Sequence, residues 1–200
     1  MPCKFYMAVC ASWCMAFLMI DFIAKMWVKG LKISWSNFRF RKSLKEYEPL
    51  YPEIQNLQDV MKATKELNKN FHYEYDDITM LFDAMDTPPS CLYHLETDGL
   101  KDDCDGYHAA MYHLLHKRCD SASSIALITI VTKPFTESHT MCVFEMDSQL
   151  YLIDYSRVVE INSMEDVMSH MESVHGVNSR FYHIDKWNQE TGKYMHNSTF

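Results

Sequence analysis

Three residue types that together make an activated thiol occur in the order Cys104, His139 and Asp154. A cysteine attacks a carbonyl carbon when a neighbouring imidazole takes the thiol proton and a carboxylate orients that imidazole. The three residues are distant in the sequence, so the elements that carry them must bring them together. The sequence pattern around each residue therefore decides whether this chemistry is possible.

Cys104 lies at the start of a predicted amphipathic helix. Asp102 or Asp103 can cap this helix, which places the cysteine in its first turn. There the unpaired backbone amides and the helix dipole favour a thiolate and can hold a developing oxyanion. The neighbouring aspartates disfavour the thiolate, so a nearby imidazolium has to offset them. The apolar residues recur at helical spacing and predict one buried face: Tyr107, Ala110, Met111, Leu114 and Leu115.

His139 is the first residue of one predicted strand, and Asp154 is the last residue of the next. A β-branched run over 124–131, which precedes them in the chain, is typical of a buried strand. If residues 145–148 form the loop between the two strands, His139 and Asp154 are directly opposite each other. A tighter Asp147–Ser148 turn makes them diagonal neighbours on the same face. In both registers the carboxylate can accept the imidazole N–H, fix its tautomer and stabilise its charged form.

The remaining patterns predict short elements around this unit. In chain order they are a helix over 54–68, a short strand or extended arm over 71–75, a chain break over 86–90 followed by a loop with Cys91, Tyr93 and His94, a helix from Ser163 to Gly176, a last strand over 181–184 and a polar tail over 189–200. Helices and antiparallel strands in this order predict the α+β class.

The composition suits one globular domain, predicted over 46–200, preceded by an apolar helix and basic linker over 1–45. The chain has 200 residues, of which 48% are apolar, and its net charge is −8. Residues 1–45 contain eight Lys/Arg and one acid, whereas residues 46–200 contain eleven Lys/Arg and 26 acids. Because an acidic body lacks the basic stripe that phosphate contacts need, no nucleic-acid partner is predicted. Seven cysteines without a CxxC pair predict reduced thiols and a cytoplasmic protein.

Residues 5–20 contain no charged side chain, and a series of lysines and arginines follows them. The run is shorter than the ~20 apolar residues of a membrane span, and its extension to residue 28 includes Asp21 and Lys25. A soluble or interfacial helix, a membrane anchor and a signal peptide stay open as interpretations. If residues 5–28 insert, the positive-inside bias leaves the following domain in the cytoplasm. Membrane association through this segment is therefore compatible with a cytoplasmic domain.

Histidines on the predicted Cys104 helix suggest a metal site as a competing interpretation. Cys104 and His108 are four residues apart, and His113 and His116 follow on the same helix. The last of these lies about 18 Å from the cysteine along a helix, so the four residues cannot share one metal ion. The sequence therefore predicts neither a metal site nor a cofactor.

Four segments carry a similarity to a known family: Asp86-Thr87-Pro88, Asp103-Cys104-Asp105 with Tyr107 and Ala109, Ser138-His139, and Leu152-Ile153-Asp154. In these segments the chain over 54–156 resembles the transglutaminase-like superfamily of papain-like folds, especially its bacterial cysteine-protease branch. The resemblance implies a papain-like α+β core in which the catalytic helix packs on an antiparallel sheet. It also implies Cys104 as nucleophile, His139 as base and Asp154 as orienting acid.

Two positions depart from the family pattern. The family usually has Gly-Asp-Cys, whereas Asp102 precedes Asp103 in this chain. The aromatic residue that often precedes the Thr-Pro step is replaced by Met85-Asp86. The resemblance therefore does not supply the second oxyanion donor, and Tyr93 is the candidate that the sequence offers.

The implied reaction is acyl transfer through a thioester on Cys104. We expect a cysteine-type hydrolase, a protease or amidase, whose partner is a peptide or protein substrate. Two alternatives stay open: an acyltransferase on the same triad, either a transglutaminase or an enzyme for small acyl groups, and an interaction module with a silent triad tethered at a membrane. The oligomeric state is not predicted.

Overall fold

The computed structural model describes residues 44–74, 86–132, 138–176 and 182–197. The predicted N-terminal apolar helix, nearly all of the basic linker and the proposed membrane segment over 5–28 lie outside the described residues. Within the described ranges, no helix is both long and apolar enough to cross a membrane.

Four α-helices and eight strands form the described part of the chain. The helices are α1 Leu57–Leu67, α2 Pro88–Thr97, α3 Cys104–Arg118 and α4 Met164–His175. The strands are β1 Phe71–Tyr73, β2 Leu100–Asp102, β3 Ala122–Ile130, β4 His139–Met146, β5 Gln149–Asp154, β6 Arg157–Ile161, β7 Tyr182–Asn188 and β8 Lys193–Asn197.

Six strands form one antiparallel sheet in the order β6-β5-β4-β3-β7-β8, and β1 and β2 form a separate parallel pair. The predicted α+β class is confirmed. On one face of the sheet, Cys142 and Phe144 of β4 pack in a core with α1, α2 and α3. On the other face, Met141 and Val143 pack in a second core with Met171 of α4. β4 is therefore apolar almost throughout, because helices cover both of its faces.

Helix α3 begins at Cys104, as predicted, and is more deeply buried than its apolar stripe indicates. Its N-cap is Asp103, whose Oδ1 accepts a hydrogen bond from the Asp105 amide at 2.9 Å. Every residue from 104 to 115 is buried. The cause is that α3 packs against α2 as well as against β3 and β4, and a helix covered on several sides forms the centre of a core.

The β4–β5 hairpin has the tighter of the two predicted registers. Met146 pairs with Gln149, so the prediction of a loop over 145–148 is wrong because its first two residues continue β4. Asp147 and Ser148 form the turn with φ angles of 53° and 63°. Positive φ at both central residues is the geometry of a type I′ turn, whose twist matches that of the paired strands.

Two other segments also differ from their predictions. The loop predicted to carry Tyr93 is helix α2, because Pro88 and Pro89 occupy its first turn, where a missing backbone N–H costs nothing. The polar tail predicted over 189–200 contains β8, and the predicted last strand is the longer β7. β8 stays attached because Tyr194 is buried against Trp187, with ring centroids 5.1 Å apart.

Candidate active site

The sulfur of Cys104 lies at the open end of the β4–β5 ladder. Its Sγ accepts a hydrogen bond from the backbone N of Thr140, the residue after His139, at 3.3 Å. Continuing the register of β4 and β5 puts Tyr155 opposite Thr140. The backbone N of Tyr155 instead donates to His108 Nε2 at 3.0 Å. On the β5 side of Thr140 the sulfur therefore takes the place of a strand partner, and it holds the start of α3 at this end of the sheet.

His139 and Asp154 form the hydrogen-bonded pair that the sequence predicts. The His139 Nε2 and Asp154 Oδ1 atoms are 2.9 Å apart, and both residues are buried. An ionised carboxylate can only accept, so Nε2 carries the proton and donates it. The lone pair of a neutral imidazole is then on Nδ1, and this is the tautomer that a general base at Nδ1 requires.

Two further histidines from α4 donate to the same carboxylate. His170 Nε2 and His175 Nε2 lie 2.8 and 3.1 Å from Asp154 Oδ2. Sequence reasoning missed both residues. They are five positions apart on α4, a spacing that does not place them on one helix face, and nothing in the sequence relates them to Asp154. Only the packing of α4 on the sheet brings the two rings to one carboxylate.

The ring of His139 lies at the first residue of β4, a central strand of the sheet, and is close to both helical layers. Because side chains alternate along a strand, His139 is on the same face of the sheet as Met141, and α4 covers that face. The ring centroid of His139 is 4.4 Å from that of His175 on α4 and 5.6 Å from that of His108 on α3. Cys104, at the start of α3, reaches this end of β4 from the opposite side of the sheet.

His108 connects the start of α3 to the turn after Asp154. Its Nδ1 donates to the Cys104 carbonyl oxygen at 2.6 Å, and its Nε2 accepts from the Tyr155 amide. One nitrogen donates and the other accepts, so the ring is neutral and its tautomer is fixed. Burial lowers the pKa of His108 to about 3, which excludes it as the proton acceptor near neutral pH.

Tyr155 follows Asp154 in a strained backbone conformation. Its φ is 50°, in the left-handed region that a bulky residue seldom adopts. Two hydrogen bonds hold this conformation. The backbone N–H of Tyr155 donates to His108 Nε2, and its carbonyl oxygen accepts from the Tyr107 hydroxyl at 3.3 Å. Such a residue costs of order 1–3 kcal/mol and persists where its surroundings determine it, often at functional sites. Tyr155 is the first of the two residues that connect β5 to β6, in which Asp154 pairs with Arg157.

The electrostatics keep the carboxylate charged and the imidazole neutral. Burial raises the pKa of Asp154, but hydrogen bonds from His139, His170 and His175 outweigh burial and hold this pKa well below its usual range. Burial also lowers the pKa of His139, and the bond to Asp154 opposes that change only in part. A neutral imidazole beside an ionised carboxylate can accept a proton from a thiol.

Tyr93, the candidate oxyanion donor, lies on α2 and is 41% exposed. Its ring packs edge-on against that of Tyr47, with centroids 5.4 Å apart. These contacts are those of a surface packing residue, and a role at the oxyanion stays a prediction.

Two groups of side chains among the described residues have the spacing of metal ligands. One comprises His139, Asp154 and His175, whose ligand atoms all lie within 4.8 Å of one another; the other comprises Asp102, Asp103 and Asp105. The helix histidines considered from the sequence are engaged differently. His108 has the two partners described above, and the Nε2 of His113 lies 2.8 Å from the Tyr47 carbonyl oxygen.

No known family profile matches the sequence, and no curated protein matches it significantly.

Proposed function

We propose that this protein is a cysteine-type hydrolase, a protease or amidase, that cleaves peptide-type amide bonds through a thioester on Cys104. We further propose that its domain is a transglutaminase-like variant of the papain-like fold. The observation that carries the proposal is the hydrogen bond from the Thr140 amide to Cys104 Sγ. It puts the sulfur at the backbone next to His139, at the ladder end where Asp154 fixes the imidazole.

The proposed reaction uses the Nδ1 lone pair of His139. Nδ1 takes the proton of the Cys104 thiol as the sulfur forms a bond to the carbonyl carbon of the substrate. The carbonyl oxygen becomes an oxyanion, which accepts hydrogen bonds from backbone amides at the start of α3, including that of Cys104. When the tetrahedral adduct collapses, the C–N bond breaks and the proton on Nδ1 goes to the leaving amine. The acyl group stays on the sulfur as a thioester.

The second half of the reaction determines which kind of enzyme this is. If water attacks the thioester, His139 takes a proton from the water, and the thiol and a carboxylic acid result. If an amine attacks, a new amide forms and the protein is an acyltransferase. Mass spectrometry of the products, with water alone or with added glycine methyl ester as acceptor, distinguishes the two outcomes.

The proposal is tested by measuring alkylation of each cysteine with iodoacetamide by peptide mass spectrometry between pH 5 and 9. We expect Cys104 to react fastest in the wild type and about 100-fold or more slowly in His139→Ala, since removing a general base costs about that much. Cys91 and Cys142 are internal controls, because burial raises the pKa of both thiols.

The second measurement is the trapping of a thioester with an activated ester such as p-nitrophenyl acetate. The wild type should gain one hydroxylamine-sensitive acetyl group on Cys104, and the matched variant Cys142→Ala should behave like the wild type. If Cys104 is no more reactive than Cys142, or if His139→Ala leaves its alkylation rate unchanged, the proposed chemistry is wrong.

A further inference from the structure

The carboxylate of Asp154 is approached by three imidazole nitrogens, more than a catalytic pair requires. The Nε2 atoms of His139, His170 and His175 all lie within 3.1 Å of one of its oxygens. Orientation of His139 needs only one of these contacts. The other two come from α4, which takes no part in the proposed reaction.

We propose that His139 Nε2, His175 Nε2 and the Asp154 carboxylate form a binding site for a divalent first-row metal ion such as Zn²⁺. Their ligand atoms lie within 4.8 Å of one another, so small rotations of the side chains can bring each to the roughly 2.0–2.2 Å of a zinc bond. Two imidazoles and a carboxylate are donors that zinc accepts, with a fourth position for water.

Burial and hydrogen bonding suit this assignment. The His139 and Asp154 side chains are 8% and 2% exposed, while that of His175 is 28% exposed. The ion can therefore reach the site from the side of His175. His170 stays at 2.8 Å from Oδ2, where its N–H can orient the carboxylate. Such a partner behind a ligand typically changes metal affinity by about 10- to 100-fold.

A metal ion at this site would inhibit the reaction of Cys104, an inference that rests on the proposed function. A neutral imidazole has one proton and one lone pair. When the His139 Nε2 lone pair binds the metal, the proton is on Nδ1, and Nδ1 cannot take the proton of the Cys104 thiol. Metal binding and base catalysis thus need opposite tautomers of one ring. A bound ion switches the thiol off without touching the sulfur.

The test measures Zn²⁺ affinity of the full chain by competition with a chromophoric chelator. We expect His175→Gln to lose about 100-fold or more in affinity, and His170→Gln about 10- to 100-fold. Cys104→Ala and the exposed-histidine control His116→Gln should bind like the wild type. Circular dichroism and thermal melting of the metal-free variants check that they fold. If His175→Gln folds and binds as tightly as the wild type, the assignment is wrong.

Cobalt substitution tests the ligand set. Co²⁺ in the proposed site should give the visible bands of a low-coordinate nitrogen and oxygen environment without a sulfur charge-transfer band. A sulfur band that disappears in Cys104→Ala would mean that the thiol is the ligand, and it would overturn the proposal.

Alkylation of Cys104 separates the two proposals. Zn²⁺ should slow this alkylation in the wild type and have little effect on it in His175→Gln. If zinc affinity falls in His175→Gln and His170→Gln as expected, but zinc leaves the alkylation rate of the wild type unchanged, the metal site is supported. The same result counts against His139 as the base of Cys104.

Discussion

Replacing Asp154 by asparagine turns one acceptor oxygen into a donor while the side chain keeps its shape. The carboxylate accepts one N–H on Oδ1 and two on Oδ2. The amide nitrogen fits better at the Oδ1 position, because at Oδ2 it would face the N–H groups of both His170 and His175. His139 then has to accept through Nε2, which moves its proton to Nδ1. The variant should therefore hold the imidazole in the tautomer that cannot act as a base.

The expected loss of folding stability is about 2 kcal/mol. Hydrogen bonds to a charged acceptor contribute roughly 1.5–3 kcal/mol and neutral ones roughly 0.5–1.5, so the two bonds kept from His170 and His175 weaken by about 1 kcal/mol each. The bond to His139 reverses direction and changes the total little. Asp154→Ala leaves three N–H groups without their acceptor, so it should cost more, about 3 kcal/mol or above.

Three measurements check this reasoning. Urea unfolding at pH 7.5 gives the stability difference, and ¹H–¹⁵N correlation spectra of the imidazole nitrogens give the His139 tautomer. Iodoacetamide alkylation of Cys104 should slow by about 100-fold or more. An Asp154→Asn protein with unchanged stability and a proton still on Nε2 would refute the assignment of Asp154 as the common acceptor. A shifted tautomer with an unchanged alkylation rate would refute the use of His139 as the base.

Two further predictions concern the scaffold of α3. Burial lowers the pKa of His113 to about 4, whereas the unfolded side chain titrates near 6.5. The unfolded state thus takes up a proton first as pH falls, and up to about 3 kcal/mol of stability is lost between about pH 6.5 and 4. Urea unfolding at pH 7.5 and 4.5 should show a smaller pH dependence for His113→Gln, and an equal dependence would contradict a buried neutral ring. Gly106→Ala should destabilise by about 1–3 kcal/mol, although alanine favours helices, because its Cβ would lie 2.1 Å from Asp102 Oδ2 and 2.8 Å from Asp102 Cβ. Thermal unfolding should show that an Asp102→Gly background removes this cost; a stabilised Gly106→Ala single variant would contradict the close packing.

The parts of the site that follow local rules could be predicted from the sequence. Asp103 caps α3 because a short acceptor before an apolar helical repeat satisfies the first amides. His139 and Asp154 share a face because strand side chains alternate with a period of two and either proposed turn keeps the parity. Gly176 ends α4 with φ of 69°, the conformation expected of a glycine at a helix end. Each of these rules acts within one helix end or one hairpin.

The remaining parts depend on tertiary packing that local patterns do not encode. The Pro88-Pro89 pair has the same sequence signal in a loop and in the first turn of a helix, and burial of Leu92 and Leu95 against the core favours the helix. β8 is polar by composition and is recruited by pairing with β7. His170 acquires its partner only when α4 covers the sheet.

The two faces of the sheet hold different residues of the site, so a substitution on one face can affect one of these residues and not the other. Cys104 is positioned by α3 and by the Thr140 amide, whereas Asp154 is held by its contacts to α4 and to His139. A change in α4 can therefore alter the hydrogen bonds that hold Asp154 without displacing the sulfur. A change at Tyr155 affects both the cysteine and the carboxylate. Its backbone N–H donates a hydrogen bond to His108 on α3, and the residue directly follows Asp154 in the chain. The turn at Tyr155 is thus the point where the two halves of the site are coupled. Its left-handed backbone follows from the two-residue connection between the paired Asp154 and Arg157.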